Sequence, residues 1–260
     1  MNSLMVLINK EFVQMKRDYK IIWLPLVFMF LGATQPVVMY YLPAILKALG
    51  GGQGITIDPS MTQQEGGHIM AATLGSQFDQ LGLMIIAVSV MGVIQSDKAS
   101  GMLAFILTRP VSVGAYIWGK VISNYFIILL SVSCGFFVSY LYTSYLFSSV
   151  QFSCVLASLF IYSVWVLFMV TFTTMISTIF NSQGIIALIS IVFLLFNRMI
   201  VGLHPVLDML NPAGMSKYAM EFLITGSAEN SFYGNLVIIM IWILVTMVIS
   251  YYWITQKKFH

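Results

Sequence analysis

Six long apolar runs with almost no charge inside them fix what this chain can become; they lie near residues 21–46, 78–95, 114–142, 151–180, 184–203 and 236–254. A helix rises about 1.5 Å per residue and the hydrocarbon core of a bilayer is about 30 Å thick, so one run of roughly 20 apolar residues crosses it once. The runs are continuous instead of alternating apolar with polar. That selects helices over a barrel, because backbone amides in hydrocarbon must be bonded within their own element. The predicted fold class is an all-α membrane protein of about six transmembrane helices, with residues 1–260 forming a single transmembrane domain. Composition agrees: 59% of residues are hydrophobic, 8% are charged and mean hydropathy is +0.92, values that would make a soluble domain expose apolar surface and associate.

The net charge of +3 says less than its distribution. If the spans alternate, Lys10, Lys16, Arg17, Lys20, Lys98, Arg109, Lys120, Lys257 and Lys258 fall on one side, and Lys47, Arg198 and Lys217 on the other. The positive-inside rule then puts both termini in the cytoplasm, as an even number of spans requires. No cleavable signal is expected, because the first run is longer than a signal h-region and leads to no A-x-A-like site. Cys134 and Cys154 lie in or beside apolar runs without ligand spacing, and read as packing residues.

Ahead of the first span, Met1, Leu4, Ile8, Phe12, Met15 and Tyr19 recur every three or four residues, with Lys10, Lys16, Arg17 and Lys20 on the opposite face. This predicts an amphipathic interfacial helix over residues 1–20, its basic face toward anionic lipid. Pro25, Pro36 and Pro43 predict a first span that is kinked or broken, since each ring removes an amide donor. Residues 50–77 read as an outer loop whose GGQG lacks the GK[ST] ending of a phosphate-binding loop. In the fourth run Thr171, Thr173, Thr174, Ser177 and Thr178 are expected to bond across interfaces or back to their own carbonyls. Arg198 is expected to snorkel to the headgroups, with a buried pair as the lesser possibility. Residues 204–230 are too polar to span and too apolar for an ordinary loop. Asn211-Pro212 and Gly214 suggest two short helices with a break between them, forming an outer re-entrant segment.

Signatures of catalysis are missing from the sequence. His68, His204 and His260 are scattered, there is no HExxH or GxSxG, and no Walker-type loop for nucleotide. Neither a catalytic, a cofactor nor a metal site is expected, and nucleic acid is not an expected partner. The polar segment between the second and third spans holds more. There Asp97 and Lys98 are followed by Gly101, Leu103, Phe105, Ile106 and Leu107, then Arg109-Pro110, after which Ser112 is placed to cap the next helix. The residues alone leave two readings equally open, a short helix along the membrane surface or a plain hairpin.

This segment resembles the permeases of type-2 ABC transporters, exporters with six spans per subunit. They carry an acidic residue, a basic residue, then G-T-L, a hydrophobic run and P-V-S before the third span. Asp97, Lys98, Gly101, Leu103, Leu107, Pro110, Val111 and Ser112 match in order. Met102 stands where threonine is usual, Asp97 where glutamate is commoner, and Val113 where arginine often follows. The N-terminal helix and the outer LNPAGMSKYAMEFL segment extend the likeness over most of the chain.

The resemblance implies a cytoplasmic coupling loop over residues 96–113. Asp97, Lys98, Gly101, Leu103, Leu107, Arg109, Pro110, Val111 and Ser112, with the basic face of Lys10, Lys16, Arg17 and Lys20, would meet a separate ABC ATPase subunit present in two copies. ATP and Mg would belong to that partner, with no cofactor in this chain. A second permease chain, identical or related, would complete a pathway between the second and fifth spans in the cell membrane. Two other classes stay open on the sequence: a membrane-embedded lipid-modifying enzyme using His68, Asp79 and His204, and a non-transporting receptor or immunity protein.

Overall fold

The computed structural model describes residues 3–49, 65–108, 112–227 and 231–256, and these are mostly helical, with no strand among them. Helix α1 (Ser3–Arg17) ends at a turn in which Tyr19 takes φ +54°, and α2 (Lys20–Leu49) begins at once. The second span is assembled from α3 (Gly66–Ala72), a π-helical segment (Thr73–Gly82), α4 (Leu83–Val90) and α5 (Gln95–Ala99). After α6 (Met102–Leu107) come α7 (Val113–Leu146), α8 (Phe152–Ile179) and α9 (Gln183–Ile200). Two short helices, α10 (Pro205–Leu210) and α11 (Gly214–Thr225), precede α12 (Ser231–Gln256). Among the described residues six helices are long and apolar enough to cross a membrane. Both α1 and α6 lie at one end of this bundle, the basic end; α10 and α11 lie at the far end.

The six spans fall where the apolar runs predict, with two corrections. The second span runs over Gly66–Ala99, taking in twelve residues that read as outer loop. Apart from the exposed His68, their polar side chains are engaged by neighbours: Thr73 meets Ser139 at 2.9 Å, and Ser76 and Gln77 each donate to Gln35 Oε1 at 3.0 Å. The first span is one continuous helix despite Pro25, Pro36 and Pro43. In apolar surroundings each proline costs one amide bond, whereas unwinding would expose several.

Close packing explains the pairing of α2 with α7. A Cβ on Gly32 would lie 2.0 Å from the Gly135 carbonyl oxygen, and one on Gly135 would lie 2.3 Å from that of Phe28. The two backbones approach only because both positions lack side chains, the small-residue packing that substitutes for a hydrophobic driving force inside lipid. Most buried of the spans is α8. Its hydroxyls bond mainly to its own preceding turn, Thr171 to Phe168 O, Thr174 to Val170 O and Thr178 to Met175 O, at 2.6–3.0 Å. Least buried is α9, which packs Ile186, Ser190 and Leu194 inward and exposes Ile185, Leu188, Val192, Phe196 and Met199 along its other side. Between α10 and α11 the chain breaks at Asn211-Pro212, as the sequence predicts.

Candidate functional site

At the basic end three elements distant in sequence meet on one lysine. Lys120, about two turns into α7, places Nζ 2.9 Å from Asp97 Oδ2 and 3.0 Å from Glu11 Oε1, and all three side chains are nearly sealed from solvent. Tyr116, one turn earlier on α7, donates its hydroxyl to the same Asp97 oxygen at 2.7 Å. Glu11 reaches this point because α1 turns Leu7, Glu11 and Met15, at successive spacings of four, toward α7. Leu7 sits over Gly119, where a Cβ would find it at 3.3 Å. The expected apolar stripe of α1 is therefore only partly the packed one. Phe12 and Met15 pack inward, whereas Tyr19 leaves the helix at the turn and is 69% exposed.

Among the basic residues assigned to the opposite face, Lys16 and Arg17 are exposed and Lys10 is half-buried. Lys20 departs from that face altogether. It opens α2, is buried, and donates to the Ser89 carbonyl at 2.6 Å and to Asn124 Oδ1 at 2.7 Å. The turn at Tyr19 redirects the chain between Arg17 and Lys20, so one helical face cannot include them both.

The connector divides into two halves. Asp97 and Lys98 sit on α5, the continuation of the second span. Asp97 points inward to Lys120, and Lys98 Nζ caps the end of α8 through Thr178 O and Asn181 Oδ1, each at 3.1 Å, and Phe180 O. The second span is interrupted between Val90 and Gln95, and Ser177 repairs the gap. Its hydroxyl donates to Met91 O at 2.9 Å and accepts from the amides of Ile94 and Gln95 at 3.2 and 3.0 Å. Gly101 then takes φ +71°, a left-handed conformation open to glycine at little cost, and starts α6. Helix α6 buries Leu103 and Ile106 and exposes Met102 and Phe105. Arg109, Pro110 and Val111 lie outside the described residues, as does the side chain of Leu107. Ser112 caps α7, its hydroxyl accepting from the Ala115 amide at 3.2 Å.

A second charged node lies toward the far end. Asp79, in the π-helical segment and wholly buried, accepts from Arg198 Nε at 2.6 Å, from the Tyr162 hydroxyl at 3.0 Å and from the Ser216 hydroxyl. Spans two, four and five and helix α11 thus share one carboxylate. Arg198 does not snorkel; the carboxylate offers it a partner that headgroups would have to match. Nearby, Asp208 accepts from the Gly202 amide at 2.7 Å and from Lys217 Nζ at 2.9 Å, and this bond, with Glu221 beside it, holds the Lys217 ammonium above the ordinary lysine range. The Asn235 amide nitrogen lies within 2.9 Å of the carbonyls of Asp208, Met209 and Asn211, fixing the α10–α11 break to α12.

The structure does not gather His68, Asp79 and His204 into an acid–base site. His68 and His204 are exposed, His204 Nδ1 accepts the Val206 amide at the start of α10, and Asp79 is committed to Arg198. Among the described residues no three His, Cys, Asp or Glu are grouped to hold a metal. Sequence reasoning missed Glu11 and the role of Lys120. The available signal was a carboxylate between Leu7 and Met15 on a face that otherwise packs, which asks for a cation nearby.

What these features define is a polytopic helical membrane protein whose second span is clamped by charge at its basic end and again part-way along its length, with no metal-ligand cluster among the described residues. The chain belongs to the family of ABC-2 family transporter proteins, which it matches over residues 5–259. It is also 34% identical, over 250 residues covering 96% of each chain, to the uncharacterized transmembrane protein YxlG of Bacillus subtilis (strain 168). The family supports a membrane component of a transporter.

Proposed function

We propose that this chain is the permease subunit of an ATP-driven exporter in the cell membrane, with both termini in the cytoplasm, and that two permease chains, identical or related, work with two copies of a separate ATPase subunit. The observation that carries the reading is the junction at the basic end, where Lys120 ties α1 to α5, which leads through Gly101 into an α6 that exposes Met102 and Phe105. An ATPase docked on α6 and α1 would move both together, because the sealed ion pairs do not let them separate at low cost. Asp97 and Lys98 therefore act as positioning residues, and the docking surface is the exposed side of α6 with Lys16 and Arg17. ATP and Mg belong to the partner, since this sequence has no Walker-type loop. The exposed apolar side of α9 supports the pairing of the second and fifth spans with those of a second permease chain. Such a partner drives transport only if its ATP-bound and ATP-free forms favour different span arrangements.

The test is gentle purification of the chain from its native membrane. An ATP-binding-cassette subunit should accompany the wild type and be lost on Phe105→Glu, with the variant still inserted and folded. A chain recovered without any ATPase would sink the reading, and retention by Phe105→Glu would move the docking surface off α6.

A further inference from the structure

Between α1 and the basic-end turns of spans one, two, three and five lies a cavity of about 220 Å³, whose wall includes Glu11, Asp18, Lys20, Ser89, Lys120 and Asn124. Its two lysines are both sealed, 8% and 2% exposed, but their electrostatic states differ. Lys120 faces two carboxylates. Lys20 donates only to neutral oxygens, the Ser89 carbonyl and Asn124 Oδ1, and among the described residues no carboxylate oxygen lies within 4 Å of it. An ammonium has three N–H donors, so one N–H of Lys20 is left without a bonded partner at a cavity wall, and the carboxylates that act on its charge, Glu11 and Asp18, do so from beyond 4 Å. A buried cation in that state calls for a counter-anion.

We propose that this cavity binds the phosphate of a phospholipid headgroup, with Lys20 as the charged donor and Asn124 holding the lysine in place. Depth favours a lipid. Tyr19 and Trp23, on the same turn as Lys20, are 69% and 37% exposed, and aromatic side chains of this kind sit at the membrane–water boundary where headgroup phosphate is concentrated. Size fits as well: the space equals the liquid volume of about seven waters, enough for a phosphodiester and the first atoms beyond it. Asp18, exposed at the same cavity and in no ion pair among the described residues, offers an acceptor to a headgroup ammonium, so ethanolamine is preferred to glycerol. The inference needs only that the bundle spans a bilayer, and it survives if the transport reading fails.

Native mass spectrometry of the full chain in mild detergent tests it, with phosphatidylethanolamine and phosphatidylglycerol supplied in equal amounts. The wild type should retain one phospholipid, the ethanolamine form ahead of the glycerol form. Lys20→Met should lower retention about tenfold or more, the effect of removing a charge-assisted hydrogen bond. Asn124→Asp should do the same in a chain whose wall is intact, because it supplies Lys20 with an internal counter-charge. Lys16→Gln with Arg17→Gln should leave retention unchanged. The proposal is overturned if the wild type carries no lipid, if either Lys20→Met or Asn124→Asp retains it fully, or if only the Lys16 and Arg17 changes strip it, which would mark adsorption to the exposed basic face. Displacement of the lipid by inorganic phosphate would make a soluble phosphate ester the occupant and overturn the lipid assignment.

Discussion

Replacing Lys120 by methionine keeps much of the side chain's length and removes its charge from between two buried carboxylates. With Nζ 3.0 Å from Glu11 and 2.9 Å from Asp97, each contact is worth about 5.5 kcal/mol at an effective dielectric of about 20. Most of that is offset by the desolvation of three ions, so the intact node adds little net stability. Removing the lysine is another matter. Two carboxylates bonded to one nitrogen are within about 6 Å of each other, and at that distance their repulsion is about 3 kcal/mol on the same dielectric. The expected loss for Lys120→Met is about 3–5 kcal/mol, in line with breaking a buried pair from one side. Adding Glu11→Gln and Asp97→Asn should restore most of it, because the charges are then gone together and the Tyr116 hydroxyl still has an acceptor. Equilibrium unfolding in mixed micelles, followed by tryptophan fluorescence, reads both numbers. A single variant that loses under about 1 kcal/mol, or a triple variant as unstable as the single one, would refute the reasoning.

At the far-end node the order of damage should be asymmetric. Arg198→Met strands a wholly buried Asp79 and should cost about 3–5 kcal/mol, whereas Asp79→Asn keeps an acceptor for Arg198, Tyr162 and Ser216 and should cost about 1–3 kcal/mol, as measured by the same unfolding assay. Gly32→Ala places a methyl 2.0 Å from a backbone oxygen that no rotamer can move. It should cost about 3 kcal/mol or prevent the chain from accumulating, and a normal melting temperature would contradict the α2–α7 packing. Lys217 has its folded-state pKa raised by Asp208, so its contribution is present below the ordinary lysine range and lost as pH rises through the folded value. Because its side chain is about one-third exposed, Lys217→Met should cost under about 1 kcal/mol at neutral pH and flatten the alkaline loss of melting temperature.

The spans were legible because hydrocarbon imposes one rule on every residue of a run, and a continuous apolar stretch satisfies it visibly. The start of the second span was not, since GGHIMAATLGSQ places glycine and polar residues where helices come together closely. A Cβ on Gly66 would lie 2.3 Å from Ser148 O, and Ser76 and Gln77 are satisfied by Gln35 on a different helix. Those partners exist only after folding, so hydropathy taken along the chain sees a loop. The charged nodes were illegible for the same reason. Asp97 was visible as part of a motif order, but the inward direction of its side chain depends on Lys120 and Glu11, which nothing in the sequence links to it. The break at Asn211-Pro212 was readable, because proline and its neighbour act locally and need no tertiary context.

Span two holds two buried carboxylates, Asp97 near its basic end toward Lys120 of span three and Asp79 part-way along toward Arg198 of span five. Eighteen residues separate them, about 27 Å along the axis. A rod pinned at two points cannot slide along its neighbours without pulling out a pin, but it can tilt or roll about the line that joins them. A push delivered at the connector would then arrive at α11 as a rotation of Asp79 under Ser216, with the amplitude set by the lever between the pins and the loss confined to the few residues from Met91 to Ile94, where Ser177 holds the span together.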